Sequence, residues 1–112
     1  MFFLLCFFLV PSRPPSNITA QNRTSLTSIP IFWAPFPQEY THGRLVGYRV
    51  TYQAVTIGDL AVEFEPVISR DVEYAVTSMT LRNLKPLVVY RITVAAVSNK
   101  GPGPAGVTFG GQ

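Results

Sequence analysis

Two stretches of this chain alternate apolar and polar residues, and no other feature constrains its fold as strongly. Val46, Tyr48, Val50 and Tyr52 occupy every second position of the first, and Tyr90, Ile92, Val94 and Ala96 those of the second. A period of two sends one face of an extended strand to a core and the other to solvent, whereas a helix requires a period near 3.6. Shorter runs surround these two. Residues 17–21 read as a short first strand with Ile18 inward, and Ile29, Ile31 and Trp33 alternate before Ala34-Pro35-Phe36-Pro37. His42-Gly43 and Gly58-Asp59 mark turns, the second leading into a weaker strand over residues 62–68. Residues 74–81 supply a further strand, with Leu84 after it and Pro86 closing it.

Asn99-Lys100-Gly101-Pro102-Gly103-Pro104 is read as a turn that can be neither helix nor ladder. Val107 and Phe109 then form a short last strand, weakened by Gly103, Gly106, Gly110 and Gly111. Seven strands at this spacing predict an all-β, immunoglobulin-like β-sandwich, with the seven strands in two antiparallel sheets. Pro30 is the local exception, because it removes an amide donor from a strand expected inside a sheet. A bulge, or an unpaired stretch beside a short first strand, is expected there.

The chain of 112 residues has room for one domain. Residues 1–10, MFFLLCFFLV, form an apolar leader that matches the core of a signal peptide in length and is too short to span a bilayer. No basic residue precedes it and no small-x-small cleavage site follows. It is therefore read either as a signal peptide or as an artefact of where the coding region was delimited. Residues 11–15, Pro-Ser-Arg-Pro-Pro, read as a stiff linker, and residues 16–112 as the domain. The single cysteine, Cys6, lies in the leader, so the domain has no disulfide to mark its compartment.

A net charge of +3 with arginines scattered singly (Arg23, Arg44, Arg49, Arg82, Arg91) offers no stripe for a phosphate backbone, so no nucleic-acid partner is expected. Five of the six acidic residues, Asp59, Glu63, Glu65, Asp71 and Glu73, fall mid-chain and read as the charges of a defended edge strand.

Three motifs, in order and at the right spacing, resemble the fibronectin type III family. They are Ile29-x-Ile31-x-Trp33 with Phe36-Pro37; Gly47-Tyr48-x-Val50-x-Tyr52; and Leu81 through Leu84, Pro86, Tyr90, Ile92, Val94 and Ala96, followed by Asn99-Lys100-Gly101. The resemblance covers residues 14–109. It implies a structural core of Ile29, Ile31, Trp33, Tyr48, Val50, Tyr52, Leu81, Leu84, Tyr90, Ile92, Val94 and Ala96. It also implies a tyrosine corner, in which the Tyr90 hydroxyl meets a backbone group between Leu84 and Pro86.

Catalysis finds no inventory here. His42 is the lone histidine and sits in a turn segment, and no metal-spaced Cys/His cluster, phosphate-cradling loop or nucleophile elbow is present. No enzyme activity and no cofactor are expected. Asn17-Ile18-Thr19 and Asn22-Arg23-Thr24 are N-glycosylation acceptors, at Asn17 and Asn22. Residues 98–104 stand where some relatives carry Arg-Gly-Asp, and here they read Asn99-Lys100-Gly101, so integrin binding is not implied. Outward residues Arg49, Thr51, Arg91 and Thr93 form a small polar-basic face.

The resemblance implies an extracellular or cell-surface interaction and spacer module of an adhesion or receptor-type protein, with a protein partner and neighbouring fibronectin type III domains. No transmembrane span is expected in the chain itself. The alternatives are a stand-alone secreted matrix protein and an accessory domain of a secreted enzyme.

Overall fold

The structure, a computed structural model, describes residues 10–57, 60–61 and 65–111. The described residues form eight strand segments: β1 (Thr19–Ala20), β2 (Ile29–Phe32), β3 (Leu45–Ile57), β4 (Leu60–Ala61), β5 (Ile68–Glu73), β6 (Ser78–Leu81), β7 (Val88–Ser98) and β8 (Gly101–Gly110). One sheet has the order β1-β2-β6; the other runs β4-β3-β7-β8, with β5 also paired to β3. All pairings are antiparallel. Because β4 and β5 both pair with β3 in the same direction, they fill one interrupted edge position, and the sandwich has seven strand positions.

The inner faces meet where the alternation places them. None of the twelve core residues named from the sequence exceeds 5% exposure, with Ile29, Ile31, Val50, Ile92, Val94 and Ala96 fully buried. Phe36, Ala54 and Val88 join them, and Ile18 and Ala20 pack against the cluster from β1 and its approach. Trp33 lies against Tyr48, with ring centroids 5.3 Å apart and planes tilted by 57°. Tyr52 and Tyr90 meet edge to face at 6.3 Å. The Phe36 amide donates to the buried Tyr48 hydroxyl at 2.9 Å, so a second tyrosine satisfies its polar tip on backbone.

Several sequence expectations need correction. Residues 99–104 are not all turn: Asn99 and Lys100 alone make the hairpin, and β8 begins at Gly101, paired with Ser98. Pro102 stands opposite Val97 in the ladder. Proline is tolerated there because β8 is an edge strand, with only one side to bond. The last strand is therefore ten residues long rather than short. Residues 74–81 are strand only from Ser78, since Tyr74 and Ala75 turn and the Val76 amide closes back on the Glu73 carbonyl at 3.0 Å.

The strand expected over residues 62–68 is found at Ile68–Glu73, while Val62, Glu63, Phe64 and the Gly58-Asp59 turn lie outside the described residues. The alternation of β3 also breaks at its start. The register shifts between Leu45 and Gly47, and Val46 is 46% exposed, as a bulge produces.

Pro30 takes the unpaired-stretch alternative. It pairs with Thr80 with no register shift in β2–β6, and its carbonyl accepts from the Gln21 amide at 2.9 Å. Its nitrogen faces the same side as that carbonyl, where β1 has already ended at Ala20.

Residues 11–15 are docked on the domain. Pro11 and Pro15 are buried, the Ser12 amide donates to the Tyr40 carbonyl at 3.0 Å, and the Arg13 guanidinium stacks 4.0 Å above the Tyr40 ring. Of the leader, residues 1–9 lie outside the described residues.

Candidate interaction surfaces

The tyrosine corner is built between β6 and β7. Leu84 is buried, Pro86 prevents the chain from continuing straight, and Leu87 adopts φ 59° to bring it back into β7. The Lys85 amide donates to the Tyr90 hydroxyl at 2.8 Å, within the interval expected from the sequence. Tyr90→Phe removes that acceptor and strands a partly buried N–H. An unfolding free energy lower by about 1–3 kcal/mol is expected, measured as a fall in urea midpoint.

This corner is tied to the loop after β1 by Arg23, which in the sequence is one scattered cation and the middle residue of the second glycosylation acceptor. Its guanidinium donates to the carbonyls of Leu26 at 2.7 Å and Val88 at 2.6 Å. The Leu84 amide adds a bond to the Thr27 carbonyl at 3.0 Å. No sequence signal marks this clamp, because its acceptors are backbone oxygens, which any residue supplies.

At the opposite end, residues 10–13 border a groove of about 820 Å³ with Glu39, Tyr40, His42, Pro102, Gly103 and Pro104. His42 adopts φ 53°, and its Nε2 lies 3.1 Å from the Ser12 hydroxyl. No group of three or more side chains that could hold a metal ion occurs among the described residues. Nor is any described helix long and apolar enough to cross a membrane.

The outward face of the five-stranded sheet gathers the four polar residues named from sequence. Cross-strand register places Arg49 beside Asp71 and Ala95, Thr51 beside Ser69 and Thr93, and Arg91 beside Gln53 and Phe109. Arg49 Nε bonds Asp71 Oδ1 at 3.0 Å, and the Thr51 and Thr93 hydroxyls bond one another. This exposed ion pair contributes little to stability. Glu65, from the same acidic stretch, instead holds Lys85 at 3.0 Å. Thus two of its five carboxylates are committed to cations, and Asp59 and Glu63 lie outside the described residues. Val107 and Phe109, expected merely to complete the last strand, lie on this face beside Thr93 and Arg91, at 45% and 50% exposure.

Asn17 and Asn22 are both exposed, one on each side of β1, and Asn17 takes φ 56°. The acceptor threonines Thr19 and Thr24 are exposed as well.

A two-sheet antiparallel sandwich with a tyrosine corner defines a fold class, and comparison with known proteins gives its family. The chain belongs to the fibronectin type III domain family, which matches residues 13–109. It is 39% identical over 95 residues to MAM and fibronectin type III domain-containing protein 1 of Acropora millepora, covering 85% of this chain and 21% of that protein. Receptor-type tyrosine-protein phosphatase F of Danio rerio is 35% identical, over 84% of this chain and 5% of its own length. Human contactin-4 is 33% identical, over 88% and 9%. The chain thus spans only a small part of these relatives.

Among solved structures, the third fibronectin III domain of human KIAA0343 protein superposes with a TM-score of 0.72 at 25% identity, covering 90% of this chain and 82% of that one. The domain of human collagen alpha-1(XX) gives 0.69 at 28% identity, covering 89% and 84%. Fibronectin type III domains are as a rule non-catalytic modules.

Proposed function

We propose that this domain is a non-catalytic, extracellular protein–protein interaction and spacer module of a cell-adhesion or receptor-type protein, flanked there by further fibronectin type III domains. The observation that carries the reading is the family match across residues 13–109 to relatives, receptor-type phosphatases among them, of which this chain spans a small fraction. The residues that define the family pattern are buried scaffold, so recognition of a protein partner falls to loops and outward faces. The reading includes N-linked glycans at Asn17 and Asn22, whose exposed acceptors bracket β1, and a leader over residues 1–10 that acts as a signal peptide.

Expression of the full chain in a secretory cell line tests this. The expected product is in the medium, begins between Pro11 and Ser16, and loses mass at Asn17 and Asn22 on enzymatic deglycosylation. A chain retained in the cell with Met1 in place and both asparagines unmodified overturns it.

A further inference from the structure

β8 is the longest edge strand among the described residues; Pro11, Pro14 and Pro15 lie against its Gly103 and Gly106, and its outer edge pairs with no strand. It bonds only to β7, and among the described residues no other backbone hydrogen bond reaches it. The other edges are protected in familiar ways: β1 and β6 are two and four residues long, and β5 carries Arg70, Asp71 and Glu73. β8 has no charged residue at any of its ten positions. Pro102 and Pro104 blunt its first half, but Ala105-Gly106-Val107-Thr108-Phe109-Gly110 contains neither proline nor charge. Its outward side chains include the half-exposed Val107 and Phe109.

We propose that this edge pairs antiparallel with the β8 edge of a second copy of the chain, joining two five-stranded sheets into one. A two-fold axis at Val107 sets Val107 opposite the second copy's Val107 and Ala105 opposite the second copy's Phe109. This register leaves Pro102 and Pro104 outside the stretch from Ala105 to Phe109 and gathers the exposed apolar side chains into one cross-strand ladder. A second copy is favoured over a charged extended peptide because β8 offers no side-chain charge to such a peptide, whereas two β8 strands leave none unpaired. The inference goes beyond the module's role outside the cell and does not depend on it.

Sedimentation of the full chain, with and without substitutions at Val107, tests the contact. The wild-type mass should rise with concentration to twice that of one chain. Val107→Lys and Val107→Glu should each weaken dimerisation about tenfold or more, by opposing like charges across the axis. An equimolar mixture of the two variants should recover a dimer containing one of each, since Lys then faces Glu. Position 107 is half exposed, so at concentrations where the wild-type chain is a single copy both variants should keep its urea midpoint. Hydrogen exchange on the wild-type chain gives a reading that requires no variant: β8 amides should slow as concentration rises. A wild-type chain of constant single-chain mass overturns the proposal, as do concentration-independent exchange and a mixture that fails to recover the dimer. Association that Val107→Lys leaves undiminished also overturns it, and places the contact on the leader or another face.

Discussion

Trp33→Ala should lower the unfolding free energy by about 3–5 kcal/mol, because truncating a buried aromatic leaves a cavity that its neighbours only partly fill. Trp33 is 4% exposed and sits against Tyr48, whose hydroxyl is in turn held by the Phe36 amide. Removing the indole therefore also loosens the segment that follows β2. The indole Nε1 is buried without a hydrogen-bond partner among the described residues. Trp33→Phe, which keeps a ring and deletes that unpaired donor, should lose clearly less stability than the alanine variant. As Trp33 is the only tryptophan, unfolding in urea would be followed by circular dichroism for all three proteins. Equal midpoints for wild type and Trp33→Ala would mean that the indole does not carry the centre of the core.

Gly47→Ala should be nearly as damaging, by about 3 kcal/mol, at the upper end of the usual overpacking range. A Cβ on Gly47 would overlap the Val72 carbonyl oxygen and stand 3.0 Å from its carbon and 3.3 Å from Glu73 Cα. These are backbone atoms of β5, paired with β3 at this level of the ladder, so no rotamer change relieves the clash. Relief requires β5 to separate from β3, or the bulge at Val46 to shift. Hydrogen exchange should show β5 amides losing protection before those of β7. A midpoint within error of wild type would show that β5 stands farther from Gly47 than these contacts require.

The legible part of this protein was the part with one buried face. On β3 and β7, inward Tyr48, Val50, Tyr52, Tyr90, Ile92 and Val94 alternate with exposed or outward polar residues, and a period of two reads directly as a core list. On β8 the same rule misleads. Its inward positions include Gly106 and Gly110, against which Ile18 and Ala20 close from β1, so the larger side chains Val107 and Phe109 point outward. A strand whose buried face is glycine looks like a turn in sequence, and its length appears only once β7 is present to pair with it. The surface features are less legible still. The Arg23 clamp acts on carbonyls 3 to 65 residues away.

The sequence by itself thus determined the family, the sandwich and the residues at its centre, because hydrophobic periodicity and a tyrosine-corner motif are local signals. Only the tertiary structure decided where β8 begins, which face Val107 and Phe109 occupy, where β3 bulges and which edge stands open. Those properties are set by pairing between strands, and register is a relation between distant residues that no single strand carries.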